Sequence, residues 1–403
     1  MKVFAVTAAI AASSLAAPAL AQEVTLQFWD NQQTESGLSD VQRAAVDRFT
    51  EENPDIAIEV TTIPYPEYQQ RLLTAVQGGN APDIATLDQI WLAAFAEAGA
   101  VVDLAERAAS AGLERDAFFG GAWDSAAYGD GLYGMPFNVD VWQFSFYNRT
   151  LLEEAGVEPE SLTTFEGLRA AAEAMTGEGT FGVGLFGHNG EDTVVVVNSF
   201  VFSNGGRVLD DSGACALDAP EAVEALEYVQ GLAEFAPEGI LNASSGDMRE
   251  LFLNGSLGIE FWPALEQPTL QKSDIDWGFV NGTAPEGMTP VGTFGGWNLA
   301  VFESSEHQDA AWKFIEFMVR EDVNGDVVDL IPANKAAAEA FLETNRSDPE
   351  SIMTHLENAM PRPLSPRYLE MAEIQMRLYQ DVLSGGAVQS AAEAACERID
   401  ALS

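Results

Sequence analysis

Every second position is apolar at the start of the patterned chain. In "EVTLQFW" the residues Val24, Leu26 and Phe28 alternate with polar ones, as in a strand with one buried face. The period then lengthens. "GLSDVQRAAVDRFTEENP" sets Leu38, Val41, Ala45 and Phe49 on one helical face and stops at Asn53-Pro54. "DIAIEVTTI" reads as strand again, "YQQRLLTAVQGG" as a helix closed by Gly78-Gly79, and "PDIATL" as a short strand. Strand, helix, strand, helix, strand predicts a parallel sheet with crossover helices.

A second α/β region begins near residue 140. "TTFEGLRAAAEAM" opens with Thr163 and Glu166 at capping-box spacing. "PEAVEALEYVQGLAEF" puts Pro220 in the first turn and Val223, Leu226 and Val229 on one stripe. "GSLGIEF" and "DIDWGFV" read as strands. Beyond "GTFGGWNLAVF" (292–302) the pattern predicts a helix over 306–321 and two more, in "RYLEMAEIQMRLYQDVL" and "VQSAAEAACERIDAL", with Gly385-Gly386 between them. No repeat, low-complexity stretch or long linker intervenes. The expectation is two α/β lobes joined by several short crossings, with a cleft between them.

The first 21 residues belong to neither lobe. "MKVFAVTAAIAASSLAAPALA" has one Lys, a short apolar stretch and Ala19-Leu20-Ala21, the pattern of a secretory signal peptide cleaved after Ala21. Its apolar run falls short of the roughly 20 residues a membrane span needs. The remaining chain has room for roughly two or three domains, and 47% hydrophobic residues suit a globular protein. Net charge is −44, or −45 once Lys2 leaves with the signal. Such a field repels nucleic acid and anionic membranes. The acids are spread along the chain, which fits a solvated surface in a salty medium as readily as a cation-attracting function. Cys215 and Cys396 could form one disulfide in an oxidising compartment, but spacing alone does not say that they meet.

Catalytic and cofactor patterns are absent from the sequence. The GxGxxG match "GVGLFG" (182–187) lies between "TGEGT" and "HNGEDT", so it reads as a strand end and loop rather than a dinucleotide site. No P-loop, HExxH, GxSxG or EF-hand motif occurs. His188, His307 and His355 are scattered, and no metal, cofactor or catalytic role is assigned. Among 63 acidic residues, a pair of carboxylates chosen on paper as a glycosidase acid and base carries no weight.

The tryptophans are more telling. Trp29 ends the first strand, Trp91 follows "PDIATL", Trp142 lies in "PFNVDVWQFSFYN", Trp262 precedes Pro263, and Trp297 follows Gly295-Gly296. Ligands of α/β sheets gather outside the carboxyl ends of strands. An aromatic there can stack on a sugar ring while Gln33, Asp88 and Asp140 take hydroxyl groups. Two readings of "GGW" compete: a turn ahead of a buried ring, or glycines that leave one ring face open to a flat ligand.

Taken in order, "FWDNQQTESG", "FTEENPDIAIEV", "APDIATLDQIWLAAFAEAG", "DGLYGMPFNVDVWQFSFYN", "LFLNGSLGIEFWPA", "VGTFGGWNLAVF" with "DAAWKFIEFM", and "LSGGAVQSAAEAACERI" are landmarks spread along the whole mature chain. In this order the chain resembles the extracellular solute-binding proteins of ABC importers, in the carbohydrate-binding branch that includes maltose-binding protein. The resemblance implies an α/β fold of two lobes with three hinge crossings, near 137–143, 289–294 and 332–337, and a central ligand cleft. It divides the chain into 22–138 plus 292–334 as the N-terminal lobe and 139–291 plus 335–403 as the C-terminal lobe. It also implies ligand contacts from Gln33, Asp88, Asp140, Trp262, Gly295, Trp297 and Arg367.

The function implied is non-enzymatic: a periplasmic monomer that takes up a mono- or disaccharide or a glycoside and hands it to membrane permease subunits. An arginine in the cleft would suit an anionic sugar. A polyamine or other cationic solute is the second expectation, since Asp88, Asp140 and Trp297 could cage a cation, and a cleft-facing Arg367 would oppose it. An exported glycosidase is the third and requires two carboxylates facing each other across the cleft.

Overall fold

The computed structural model describes residues 24–31, 39–328 and 330–402. β1 (Val24–Asp30), β2 (Ile56–Thr62) and β3 (Ile84–Asp88) run parallel with β1 in the middle, linked by the helices Ser39–Glu52 and Tyr65–Gln77. The alternation seen in the sequence has its cause here. Leu26 and Phe28 turn into the core, where Phe28 meets Phe314 and Phe49 meets both Phe314 and Phe317. Burying one such aromatic contributes on the order of 2–3 kcal/mol. β3 is buried at every residue, as expected of a strand covered on both faces.

A hairpin of β4 (Ala127–Tyr128) and β5 (Gly131–Leu132) precedes β6 (Met135–Val141). β7 (Phe144–Asn148), β8 (Phe181–Val183), β9 (Leu257–Trp262) and β10 (Trp277–Val280) follow, and they form a second sheet in the order β10-β7-β9-β8. β11 (Thr293–Val301), β12 (Ile331–Pro332) and β13 (Met360–Pro361) return to the first sheet, whose order is β12-β6-β11-β3-β1-β2 with β13 beside β11. The first sheet is therefore mixed, not wholly parallel. β11 comes back from the smaller sheet and enters where β3 and β6 end, so it runs against both.

The chain passes between the sheets at 142–143 and again at 281–292. Gln143 takes φ 78° while fully buried, and Gly282 beside it takes φ 79°. A Cβ on Gly282 would lie 2.5 Å from the Gln143 carbonyl oxygen, so only glycine fits there. The helix Glu191–Ser203 fastens both passages. Its Ser203 hydroxyl donates to Gln143 Oε1 (3.2 Å) and accepts from Val291 N (2.9 Å), while Ser199 Oγ accepts from Thr293 N (2.8 Å).

Three sequence expectations are settled or shifted at this level. Cys215 and Cys396 do form a disulfide, 181 residues apart. The capping box sits one residue later than expected and lacks its acid. Thr163 closes a 3-10 turn, its hydroxyl bonded to the Glu160 carbonyl, and Thr164 caps the helix Phe165–Met175 through Gly167 N. The segment 335–403 does not lie wholly with the smaller sheet, because β13 pairs with β11 in the larger one. Only after 361 does the chain reach the helix Tyr368–Leu383, which packs on the helix Glu191–Ser203.

Candidate functional site

The carboxyl ends of β3 and β6 meet the start of β11, and strand register sets the residues found there. Trp297 lies opposite Asp88 on one side and Asn138 on the other, and Gly295 lies opposite Asp140. Four of the residues singled out in the sequence, Asp88, Asp140, Gly295 and Trp297, thus share one sheet edge.

Asp88 ends β3 and caps the helix Gln89–Glu97, accepting from Ile90 N at 3.3 Å. The helix N-terminus favours its negative charge. Burial nevertheless raises its pKa, with Arg362 pulling the other way. Tyr65 donates to Asp88 Oδ2 at 3.4 Å. The next residue, Gln89, gives its amide to the Phe294 carbonyl at 2.6 Å, and its own Oε1 is buried without a partner.

Trp297 is half-buried in a cluster of aromatics. Its ring meets Trp91 at 5.7 Å and Tyr65 at 5.8 Å, in each case near a right angle, while Tyr65 stacks on Trp91. Tyr68, fully buried, anchors the group by donating to the Trp29 carbonyl at 2.8 Å. These contacts fix the plane of the indole without covering it.

The two glycines differ. Gly296 has φ 154°, and a Cβ there would stand 2.2 Å from the Asn138 carbonyl oxygen. The fold itself requires that glycine. A Cβ on Gly295 would find nothing nearer than 3.9 Å, where the Arg362 Nη2 and Gln89 Nε2 atoms lie. Packing therefore does not require a glycine at 295: a Cβ there would only touch its neighbours at ordinary contact distance, and the residue is partly exposed.

The remaining sequence expectations fare unevenly. Gln33 lies outside the described residues. Asp140 is 5% exposed and held by backbone: its Oδ1 accepts from Val141 N (2.7 Å) and its Oδ2 from Leu265 N (3.1 Å). Burial pushes its pKa up to about 7, against the pull of those bonds and of Arg346. Its visible role is to tie β6 to the turn after β9. Trp262 requires a correction, because it is fully buried and offers no face to a ligand. It lies on the face of β9 covered by the helix Ser245–Leu253, with Phe252 at 5.2 Å and the Arg249 guanidinium at 5.9 Å from its ring.

Arg367 is also corrected. It is exposed and pairs with Glu370, one turn along its own helix. The arginine at the site is Arg362, five residues earlier, which the sequence reading passed over. It is 7% exposed and bridges Asp88 (3.4 Å) and Glu191 (3.0 Å), with the Tyr368 ring at 5.8 Å. Burial works against its charge, but Asp88, Tyr368 and Glu191 outweigh it and raise its pKa. The flanking prolines of "MPRPLSP" were the available signal, since they hold the segment extended and out of a helix. Glu191 and Tyr65 were missed as well. Tyr65 sits in "IPYPEY", again between prolines.

Among the described residues no group of three or more His, Cys, Asp or Glu could hold a metal ion, and no helix is long and apolar enough to cross a membrane. A family profile described as bacterial extracellular solute-binding protein matches residues 32–325. The chain belongs to that family.

Relatives of this solute-binding protein point the same way. A Brucella abortus protein designated only as a binding protein is 25% identical over 350 residues, 84% of this chain and 83% of its own length. An arabinooligosaccharide-binding protein of Halalkalibacterium halodurans is 28% identical over 207 residues, covering 48% of this chain and 44% of the relative. Among solved structures, an ABC transporter solute-binding protein of Thermotoga lettingae bound with α-D-tagatose superimposes with a TM-score of 0.79 at 25% identity. That match covers 94% of this chain and 99% of the other. The cyclic α-maltosyl-1,6-maltose binding protein of Arthrobacter globiformis shares the fold with a TM-score of 0.81 at 22% identity, over 94% and 98% of the two chains. The solute-binding protein is thus an α/β protein of the two-lobe periplasmic type, and the branch it resembles is the carbohydrate-binding one.

Proposed function

We propose that this solute-binding protein captures a carbohydrate, a mono- or disaccharide or a glycoside, between its two sheets and delivers it to the permease of an ABC importer. The observation that carries this reading is the partly exposed Gly295, where packing does not demand a glycine, beside a half-buried Trp297. A flat apolar ring face there would lie on the indole, while Gln89, Asp88 and Arg362 at the rim take hydroxyl groups. Binding would draw a population of open molecules toward a closed form that the permease recognises. Export with removal of residues 1–21 and action as a monomer in the periplasm belong to the same proposal.

Two other readings have less support. A cationic solute would need Asp88 for itself, but Arg362 already occupies the place beside that carboxylate. A glycosidase would need a free pair of facing carboxylates. Asp88 is engaged by Arg362 and Asp140 by the backbone of Val141 and Leu265.

Tryptophan fluorescence of the mature protein, titrated with neutral sugars, an anionic sugar and a polyamine, tests the proposal. We expect a saturable change at micromolar neutral sugar, lost or weakened at least tenfold in Trp297→Ala. Saturation with the polyamine alone would overturn the carbohydrate reading, and new reducing ends from a disaccharide would overturn the non-enzymatic one.

A further inference from the structure

Arg362 lies in the stretch 362–367 that leaves β13 of the larger sheet for the helix Tyr368–Leu383. Its two anionic partners come from opposite sides. Asp88 hangs from the end of β3 in the larger sheet. Glu191 begins the helix whose Phe200 packs on Phe261 of the smaller sheet, at 5.0 Å. Tyr368 also donates to Glu191, at 2.8 Å. One positive and two negative charges leave this junction with a sum of −1.

Arg249, on the helix Ser245–Leu253 that covers β9, is committed too. Arg249 pairs with Glu266, while Glu260 on β9 is buried with neither carboxylate oxygen partnered. An anionic ligand group would therefore meet no uncommitted charge at Arg362 or Arg249. Hydrogen-bonding capacity does remain beside them: Arg362 Nε and Gln89 Oε1 have no partner, both being buried in this conformation. Arg362 Nη2 and Gln89 Nε2 both stand 3.9 Å from where a Cβ on Gly295 would lie.

We infer that Arg362 is a specificity-determining residue whose charge is taken up by Asp88 and Glu191, so that the cleft binds uncharged sugars through hydroxyl groups and rejects anionic ones. The inference rests on the carbohydrate reading above for its ligand, though not for its test. A sulfated, phosphorylated or uronic sugar would have to displace Glu191 from Arg362 in order to pair with it.

The test uses inorganic sulfate as the anion and needs no knowledge of the natural ligand. Thermal melting of the mature protein is followed against sodium sulfate, with sodium chloride of equal ionic strength as the reference. The wild type should show no saturable response. Glu191→Gln should gain one with half-saturation in the millimolar range, and Glu191→Gln/Arg362→Gln should lose it. A saturable response in the wild type that Arg362→Gln removes would mean that the guanidinium has charge to spare, and the inference fails. No gain in Glu191→Gln would also overturn it, because Glu191 would then not be what occupies the charge. In parallel, glucose is compared with glucose 6-phosphate and galactose with galacturonate by fluorescence. Preference for the anionic member in the wild type overturns the inference directly. Silence toward every sugar counts against the carbohydrate reading alone, since the sulfate arm still decides the state of Arg362.

Discussion

At Gly295 an added methyl group would meet no protein atom closer than 3.9 Å, whereas at Gly296 it would meet a backbone oxygen at 2.2 Å. Adjacent glycines thus answer to different constraints. Gly296→Ala should destabilise the fold by about 1–3 kcal/mol through backbone strain. Gly295→Ala should leave stability within about 0.5 kcal/mol yet weaken sugar binding at least tenfold. Denaturant unfolding and fluorescence titration of the two variants separate these effects. Equal loss of stability in both would show that Gly295, too, is there for packing. The sequence exposed the pair "GGW" but not this division of roles, because the clash at 296 comes from Asn138, over 150 residues away in the chain.

Among the elements, the last helix, Val388–Asp400, depends on a distant partner. Cys396 bonds Cys215, and Asp400 Oδ1 accepts from Cys215 N at 2.8 Å, so one short loop is held at two points of the helix. Closing a loop of 181 residues removes much unfolded-chain entropy. Replacing both cysteines by serine should cost about 2–5 kcal/mol, read as a lower denaturant midpoint, and reductant should lower the wild type alike. An unchanged midpoint would rule out this constraint. Most elements were legible from period alone: β1 from alternation, the helix Pro220–Leu232 from its stripe and Pro220. The start of the helix Phe165–Met175 was misplaced by a residue because two threonines stand in tandem, and a 3-10 turn claimed the first.

For the whole molecule, acidity shows in the pH dependence of stability. Burial pushes Asp140 up to about 7 and Glu260 up to about 8, from 3.8 and 4.5, and pulls His355 down to about 4 from 6.5. Each raised acid holds a proton in the folded state that the unfolded chain has lost. Its stabilisation is complete below the unfolded value and disappears as pH rises through the folded one. His355 has the opposite sign: its unfolded form binds a proton between pH 4 and 6.5, so stability rises with pH there and offsets one acid. Above pH 6.5 that offset ends. The melting temperature should therefore fall from pH 6.5 to 8, after ordinary carboxylates have finished titrating. Glu260→Gln should flatten the fall between pH 7 and 8, and a profile that rises over that interval would contradict these assignments.

The sequence by itself determined the two α/β regions through local periodicity and the family through the order of its motifs, whereas strand register brought Asp88, Asp140, Gly295 and Trp297 to one sheet edge. Tertiary structure decided which aromatic has a face to offer, which arginine reaches the site, and whether the cysteines meet. Trp262 ends an apolar strand pattern and Trp297 opens one, and only the former has its indole fully buried, beneath the helix Ser245–Leu253. Arg362 and Arg367 lie five residues apart, and only the former meets Asp88 from β3 and Glu191 from a helix more than 100 residues later. Exposure and charge pairing are set by neighbours remote in sequence, and no local pattern encodes them.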